Sequence, residues 1–198
     1  MIIEPAKVED SSALVPLVFS SGPSAFDYVF LNSAENFLAT TLPKNSSSFS
    51  HQAHWVARSA PNGVAQGCIS LYTREAHDLQ HNSNIAALIS WGGWRSPLIL
   101  IKGLKIEALI APPPKGTLHI AHLGVAPAVR SQGVGEQLIA YAATMAKEKG
   151  IDRLSLDVSA QNPRAQTLYE RLGFEVKRTS VSKIAALADH HYMEKVLI

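Results

Sequence analysis

The sequence predicts one α/β domain, residues 1–198, in which helices pack on a central sheet. Two observations support this class. Strand-like segments and amphipathic helical segments are interspersed along the 198 residues, which suit one domain. Hydrophobic residues make up 46% of the chain and charged residues 17%, so the chain can bury a sizeable core instead of staying disordered.

The N-terminal half reads as strands and helices of moderate length. "MIIEPA", "HWVARS" and "VAQGCISLYT" have strand character, and the turn between the last two contains Pro61, Asn62 and Gly63. One helix is expected from Ser11 or Ser12 to Phe19, and a second over residues 24–40. Residues 77–84 are polar and are predicted to form a loop.

The C-terminal half carries sharper signals. "LHIAHLGVA", "RLSLDV", "FEVKRTS" and "HYMEKVLI" predict strands, and a helix is expected between the first two, closed by Gly150. Asn162 is a suitable N-cap for a further helix with Pro163 at its first position and Gly173 after its end.

Composition argues against several classes of function. The net charge is +2 without a block of Lys and Arg, so no nucleic-acid partner is expected. The single cysteine, Cys68, excludes an internal disulfide, and the N-terminus lacks a signal-peptide pattern, so a cytoplasmic location is expected. The apolar residues 85–111 contain Arg95, Lys102 and other charges, so no membrane span is predicted.

Gly133 and Gly135 lie where a helix begins, although glycine in a helix costs about 0.5–1 kcal/mol relative to alanine. The first N–H groups of a helix lack partners, and the helix dipole favours negative charge there. Without Cβ atoms, these glycines would let a phosphate approach the backbone. The loop is therefore interpreted as a phosphate or pyrophosphate site, although two such glycines also occur in turns and close helix packing.

Two other phosphate motifs fit less well. A P-loop needs Lys followed by Ser or Thr after its last glycine, and no such pair follows here. A dinucleotide-binding turn is the better competitor, because Asp157 stands where a ribose-binding acid would lie. However, Leu138 occupies the position of the third small residue, and the strand ends several residues before Gly133.

Two segments together resemble the GNAT superfamily of N-acetyltransferases. "RSQGVG", residues 130–135, matches the acetyl-CoA motif [Q/R]-x-x-G-x-[G/A], and "NPRAQTLYERLGF", residues 162–174, resembles N-x-x-A-x-x-[L/F]-Y-x-x-x-G-F. The close resemblance covers about residues 118–180. It implies a mixed, mostly antiparallel central sheet flanked by helices and splayed at the strand that binds acetyl-CoA.

The resemblance also implies binding roles for particular residues. The backbone of Leu123, Gly124 and Val125 would pair with the pantetheine arm as an added strand would. Asn162 would contact the cofactor through its side chain. The pyrophosphate would be held by the loop that follows, in particular by the N–H groups of residues 131–136: Arg130, Ser131, Gln132, Gly133, Val134, Gly135 and Glu136.

The implied reaction is acetyl transfer from acetyl-CoA to a primary amine on a small molecule or peptide, by direct attack and with no metal. The Leu123 N–H would stabilise the oxyanion. Tyr169 would give a proton to the leaving thiolate, although it could simply pack on its helix. His119 lies four residues before Leu123 and could be the base or a structural residue. Strand alternation would place His119 and Leu123 on one face and His122 on the other.

Further candidates and alternatives remain open. His190 and His191 could reach the cleft, and Cys68 is expected in the core. Residues 74–117 form an insertion, expected to be helical, whose Trp91 and Trp94 could line an acceptor pocket, form a homodimer contact or simply cap the sheet. A non-catalytic acyl-CoA-binding module is the alternative function, and a dinucleotide-dependent oxidoreductase is the third.

Overall fold

A seven-stranded sheet organises the computed structural model, which describes residues 1–45 and 47–197. The strands lie in the order β1-β2-β3-β4-β5-β7-β6. Their bounds are β1 (Ile2–Pro5), β2 (His54–Arg58), β3 (Gly67–Tyr72), β4 (Leu118–Val125), β5 (Arg153–Ser159), β6 (Glu175–Ser180) and β7 (His190–Val196).

Neighbouring strands are antiparallel except β4 and β5, which are parallel. The predicted mixed, mostly antiparallel sheet is thus confirmed. A dinucleotide-binding fold would require a mostly parallel, doubly wound sheet, so that alternative does not fit this topology. The last predicted strand extended to Ile198, which lies outside the described residues.

Helices cover both faces of the sheet. They are α1 (Ser11–Ser20), α2 (Pro23–Phe30), α3 (Ala34–Thr41), α4 (Arg74–Gly92), α5 (Ser96–Leu109), α6 (Val134–Glu148) and α7 (Pro163–Arg171). Two apolar clusters result. One contains the buried faces of α6 and α7 with Leu118, Ile120, Leu154 and Leu156 of the sheet. The other joins α1–α3 and parts of α4 and α5 to Val56 and Cys68 on the opposite face.

Two predictions, one of a helix and one of a loop, were wrong. The helix expected over residues 24–40 is two helices, because Leu31 and Asn32 have φ values of 55° and 60°, outside the right-handed helical region. The loop expected over residues 77–84 lies inside α4, which the Thr73 hydroxyl caps by accepting from the Ala76 N–H. No residue of α4 is buried, because the helix has no continuous apolar face. A helix is predicted from the periodic pattern of such a face, so the sequence carried no signal here.

The insertion of residues 74–117 is largely helical, as expected, since it contains α4 and α5. Trp91 of α4 packs edge-on against Phe30 and Phe37 and donates to the Asn36 side-chain oxygen, 2.9 Å away. These contacts attach the insertion to α2 and α3. Within the residues described, no helix has both the length and the apolar character needed to cross a membrane.

Candidate active site

A gap between β4 and β5 is the central feature of the site. The two strands pair only from Leu118 to Ile120 on β4. The register between β3 and β4 then shifts by one residue, and His122 at this bulge has a φ of 48°. A bulge bends its strand and increases the local twist, which accounts for β4 leaving β5 at this point. The predicted splay is therefore present, and the bulge explains it.

The bulge decides which backbone groups face the gap. The Ala126 N–H donates to the Gln66 carbonyl next to β3. Because polar backbone groups alternate between the two edges of a strand, Gly124 also points its N–H and C=O towards β3, where it pairs with Cys68. Leu123 and Val125 direct theirs into the gap. The expectation that all three residues could pair with an added strand is therefore corrected for Gly124.

Gly124 has a packing role instead. A Cβ atom at this position would lie 2.1 Å from the Leu17 carbonyl oxygen of α1. Real Cβ atoms essentially never approach another atom so closely. The glycine therefore allows the backbone of α1 to lie directly on β4 beside the gap.

The loop after β4 ends in the first turn of α6. Gly133 is the N-cap with a φ of 80°, and Ser131 has a φ of 63°. Gly135, by contrast, lies in the first turn, and a Cβ there would make only ordinary contacts with Leu168 and Val125. Packing within the protein therefore does not require glycine at position 135. The N–H groups of this first turn have no partners within the helix, and a side chain at position 135 would reduce the space around them.

Side chains of the loop hold its shape. Arg130 Nε donates to the Val125 carbonyl oxygen at 3.0 Å, and Gln132 Nε2 donates to the Ala128 carbonyl oxygen at 3.1 Å. Val134 is buried in the core and anchors the start of α6. These three predicted binding residues thus have structural partners within the protein.

Two arginines of α7 face this loop and were not predicted from the sequence. Arg164 Nη2 donates to the Ser131 hydroxyl at 2.7 Å, and Arg171 contacts the Glu136 carboxylate. Arg171 therefore offsets the negative charge of Glu136 in the first turn of α6. The signal was available in the "NPRAQTLYER" segment, where both arginines lie on the helix that begins with Pro163.

Asn162 and Tyr169 occupy the ends of α7. The Asn162 side-chain oxygen accepts from the Ala165 N–H, so it caps the helix as predicted. Tyr169 packs near Phe174 in the apolar cluster of α6 and α7, and burial raises its pKa to about 12. Its phenol therefore stays protonated at neutral pH and can serve as a donor.

His119 is buried between β3 and β5 and is not an open cleft residue. Its Nδ1 lies 3.0 Å from the Ser155 hydroxyl, and its ring packs against Tyr72. Burial lowers its pKa to about 3, so the imidazole is neutral at pH 7. Its Nε2 lies 3.8 Å from Oδ2 of Asp157, a residue that the sequence suggested only as a ribose-binding acid. Burial raises the pKa of Asp157 to about 7.

His122 lies on the same face as His119, contrary to strand alternation. The bulge adds one residue, so the His122 ring stacks on His54 and lies between Phe26 and Phe49, in the cluster around α1–α3. Leu123 and Val125 pack instead against the α6 and α7 cluster. Regular alternation fails here because β4 is not a regular strand.

The remaining candidates lie away from the gap or in structural positions. Cys68 is fully buried, as expected, and its thiol contacts the His122 carbonyl. His190 and His191 are on β7, where His191 contacts the Thr179 hydroxyl of β6. Trp91 and Trp94 line a surface cavity of about 910 Å³ between the α2–α3 and α4–α5 segments. In the described residues no three metal-ligating side chains come together.

Comparison with known proteins identifies a family. Residues 34–174 match the family model described as "Acetyltransferase (GNAT) family". A mycothiol acetyltransferase of Beutenbergia cavernae is 39% identical over 62 residues, covering 31% of this chain and 21% of that protein. A putative ribosomal protein bS18-alanine N-acetyltransferase of Bacillus subtilis is 39% identical over 57 residues, covering 29% and 38%. The chain thus matches well under half the length of these curated relatives.

A solved structure supports the fold over the whole chain. A crystal structure described only as an acetyltransferase superposes with a TM-score of 0.70 at 19% identity and covers 100% of both chains. At this identity the likeness concerns the arrangement of helices and strands.

Proposed function

The chain belongs to the acetyltransferase (GNAT) family, and from that premise we propose that it transfers an acetyl group from acetyl-CoA to a primary amine by direct attack within a ternary complex. One observation carries the proposal. A strand with free backbone groups at an open gap leads directly into a glycine loop whose N–H groups suit a diphosphate. An elongated ligand with a peptide-like arm and a pyrophosphate fits this continuous track.

The track assigns residues to parts of the cosubstrate. The N–H and C=O groups of Leu123 and the N–H of Val125 hold the pantetheine arm at the edge of β4, whereas the Val125 carbonyl accepts from Arg130. The N–H groups of residues 131–136 hold the pyrophosphate, and Arg164 adds positive charge beside Ser131. Gly135 supports this fit, because packing within the protein would allow a Cβ atom at this position, yet the residue is glycine.

The chemistry is that of acyl transfer from a thioester to an amine. The Leu123 N–H points into the gap and donates to the carbonyl oxygen as negative charge develops there. Tyr169 retains its proton, because burial raises its pKa, and donates a hydrogen bond to the departing sulfur. The amine must be neutral when it attacks, so a proton acceptor is also needed.

The proposed acceptor is a small molecule or peptide with a free amino group. The names of two curated relatives state mycothiol in one case and an alanine of ribosomal protein bS18 in the other.

Calorimetry with acetyl-CoA, followed by thiol release in the presence of amines, tests the proposal. The amine panel contains a tripeptide with a free α-amino group, spermidine and kanamycin. We expect binding, and release that depends on one of these amines. Binding without release for any amine would favour the non-catalytic acyl-CoA-binding module instead.

A pair of glycine variants tests the binding track. Gly135→Trp places an indole in the first turn of α6 and should abolish acetyl-CoA binding. Gly103→Trp is the matched control, because Gly103 lies on α5 and has no atom within 4 Å of an added Cβ. Unchanged affinity of Gly135→Trp would remove the loop assignment.

A further inference from the structure

A chain of hydrogen bonds fixes where His119 carries its proton. The Pro114 carbonyl can only accept, so the Thr117 hydroxyl donates to it at 2.9 Å. The Ser155 hydroxyl donates in turn to Thr117 Oγ1 at 3.4 Å. Ser155 Oγ is then left to accept from His119 Nδ1 at 3.0 Å. His119 therefore has its hydrogen on Nδ1 and a lone pair on Nε2.

The Nε2 lone pair faces an oxygen that lacks any other partner. Oδ2 of Asp157 lies 3.8 Å from Nε2, is fully buried and has no hydrogen bond in the described structure. Two lone pairs facing each other in a dry environment repel, whereas one proton between them removes the repulsion. Burial raises the pKa of Asp157 to about 7 and lowers that of His119 to about 3, so Asp157 is the member of the pair that gains and loses this proton near neutral pH. Its ionised form can accept a proton, and its protonated form relieves the repulsion with Nε2.

Asp157 lies at the mouth of the gap. Leu156 is the last β5 residue that pairs with β4, so Asp157 is the first residue beyond the paired region. Its side chain lies on the face opposite Leu156, whereas Tyr169 and the apolar cluster fill the other face. Of the two Asp157 carboxylate oxygens, only Oδ2 is fully buried without a partner, and the side chain keeps 8% of its surface exposed.

We propose that Asp157, oriented by His119, takes the proton from the acceptor's ammonium group. This inference rests on the proposed acetyl transfer. The ammonium N–H bond breaks as its proton passes to the Asp157 carboxylate, and the freed amine attacks the thioester carbonyl. The C–N bond forms and the C–S bond breaks. The nitrogen loses a second proton to the thiolate, and Asp157 returns its proton to solvent. The products are an amide, free thiol and one released proton.

The electrostatic setting of Asp157 comes from several elements. Burial raises its pKa, whereas the positive charge of Arg178 favours its ionised form. The titratable and charged groups around the pair are Tyr72 on β3, His77 on α4, His119 on β4, Arg178 on β6, and Tyr192 and Glu194 on β7. A carboxylate that titrates near the working pH is suited to accept a proton.

Asp157→Asn is the decisive variant. Its amide can donate to His119 Nε2 as a protonated carboxyl would, but it cannot take a proton. With the panel amine that wild type uses fastest, thiol release at pH 7 should fall about 100-fold, while acetyl-CoA affinity stays unchanged. The deficit should shrink at a pH above the pKa of the amine, because the amine is then already neutral. Asp152→Asn, an exposed site in the turn before β5, is the matched control.

Other results would overturn the inference. Turnover of Asp157→Asn within twofold of wild type excludes Asp157 as the acceptor, and a deficit equal at every pH assigns it a structural role. NMR titration of protein labelled with ¹³C-aspartate gives a test without an amine. A carboxyl signal that titrates near pH 7 and disappears in Asp157→Asn supports the shared proton, and titration near pH 4 refutes it. Failure of wild type to bind acetyl-CoA would refute the proposed function separately.

Discussion

Replacing Gly124 with alanine should destabilise the protein without involving any ligand. The added Cβ would lie 2.1 Å from the Leu17 carbonyl oxygen and 2.8 Å from the Leu17 carbonyl carbon. Both are backbone atoms, so no side-chain rotation relieves the clash. Helix α1 would have to move away from β4 by about 1 Å to restore ordinary contact distances.

The expected size of the effect follows from core overpacking, which costs about 1–3 kcal/mol. Because both sides of this contact are backbone, we expect the upper end, about 3 kcal/mol. In a protein of this size, 1 kcal/mol shifts Tm by about 2–4 °C, so Tm should fall by about 6–12 °C. Scanning calorimetry of the protein without ligand measures this change in Tm.

Gly135→Ala is the matched control for Gly124→Ala. Its Cβ would lie 3.6 Å from Leu168 and 3.9 Å from Val125, which are ordinary contacts, and alanine favours the helix. Its Tm should stay the same or rise, while its affinity for acetyl-CoA falls. A Tm loss below about 2 °C for Gly124→Ala would refute the argument that Gly124 exists for helix packing.

Three further predictions concern protonation and binding. Burial lowers the pKa of His54, His119 and His122, so the unfolded chain binds more protons than the folded one below pH 6.5. Stability is therefore complete above pH 6.5 and falls with decreasing pH, by up to about 1.4 kcal/mol per pH unit for each histidine. Denaturant titrations at several pH values give the free energy of unfolding, which should fall less steeply with decreasing pH in His54→Leu than in wild type. An unchanged dependence on pH would contradict this prediction. Tyr169→Phe should lower turnover more than acetyl-CoA affinity, whereas equal turnover would leave Tyr169 a packing role. Arg164→Ala removes the donor to Ser131 and should weaken acetyl-CoA binding several-fold in calorimetry, unless the arginine has no part in the site.

The helix caps and glycine positions of the C-terminal half were predictable because they depend on local chemistry. Asn162 caps α7 with its own side chain, and Gly150 and Gly173 have the positive φ expected after helix ends. The same local rules failed for α4, whose fully exposed or half-buried residues show no periodic apolar stripe. Its position depends on Trp91 packing against α2 and α3, which are distant in sequence.

The bulge in β4 is the feature of the site that could not be predicted from the sequence. Alternation assumes a regular strand, and nothing in "LHIAHLGVA" identifies the extra residue. The bulge turns His122 onto the face of His119, directs Gly124 towards β3 and opens the gap beyond Ile120. The Asp157–His119 pair was missed for a related reason, since it joins two strands whose relative register only the sheet establishes.

The family, the order of its two motifs and the ends of the helices that carry them could be predicted from the residue types alone. These depend on residues close together in the chain, where glycine, proline and capping side chains act within one turn. Only the folded chain shows which backbone groups face the gap and which acid lies beside His119. It also shows that Gly124 allows α1 to pack on β4, whereas Gly135 leaves space in the first turn of α6. Those properties depend on strand register, burial and contacts between distant segments, and a local pattern of residue types does not encode them.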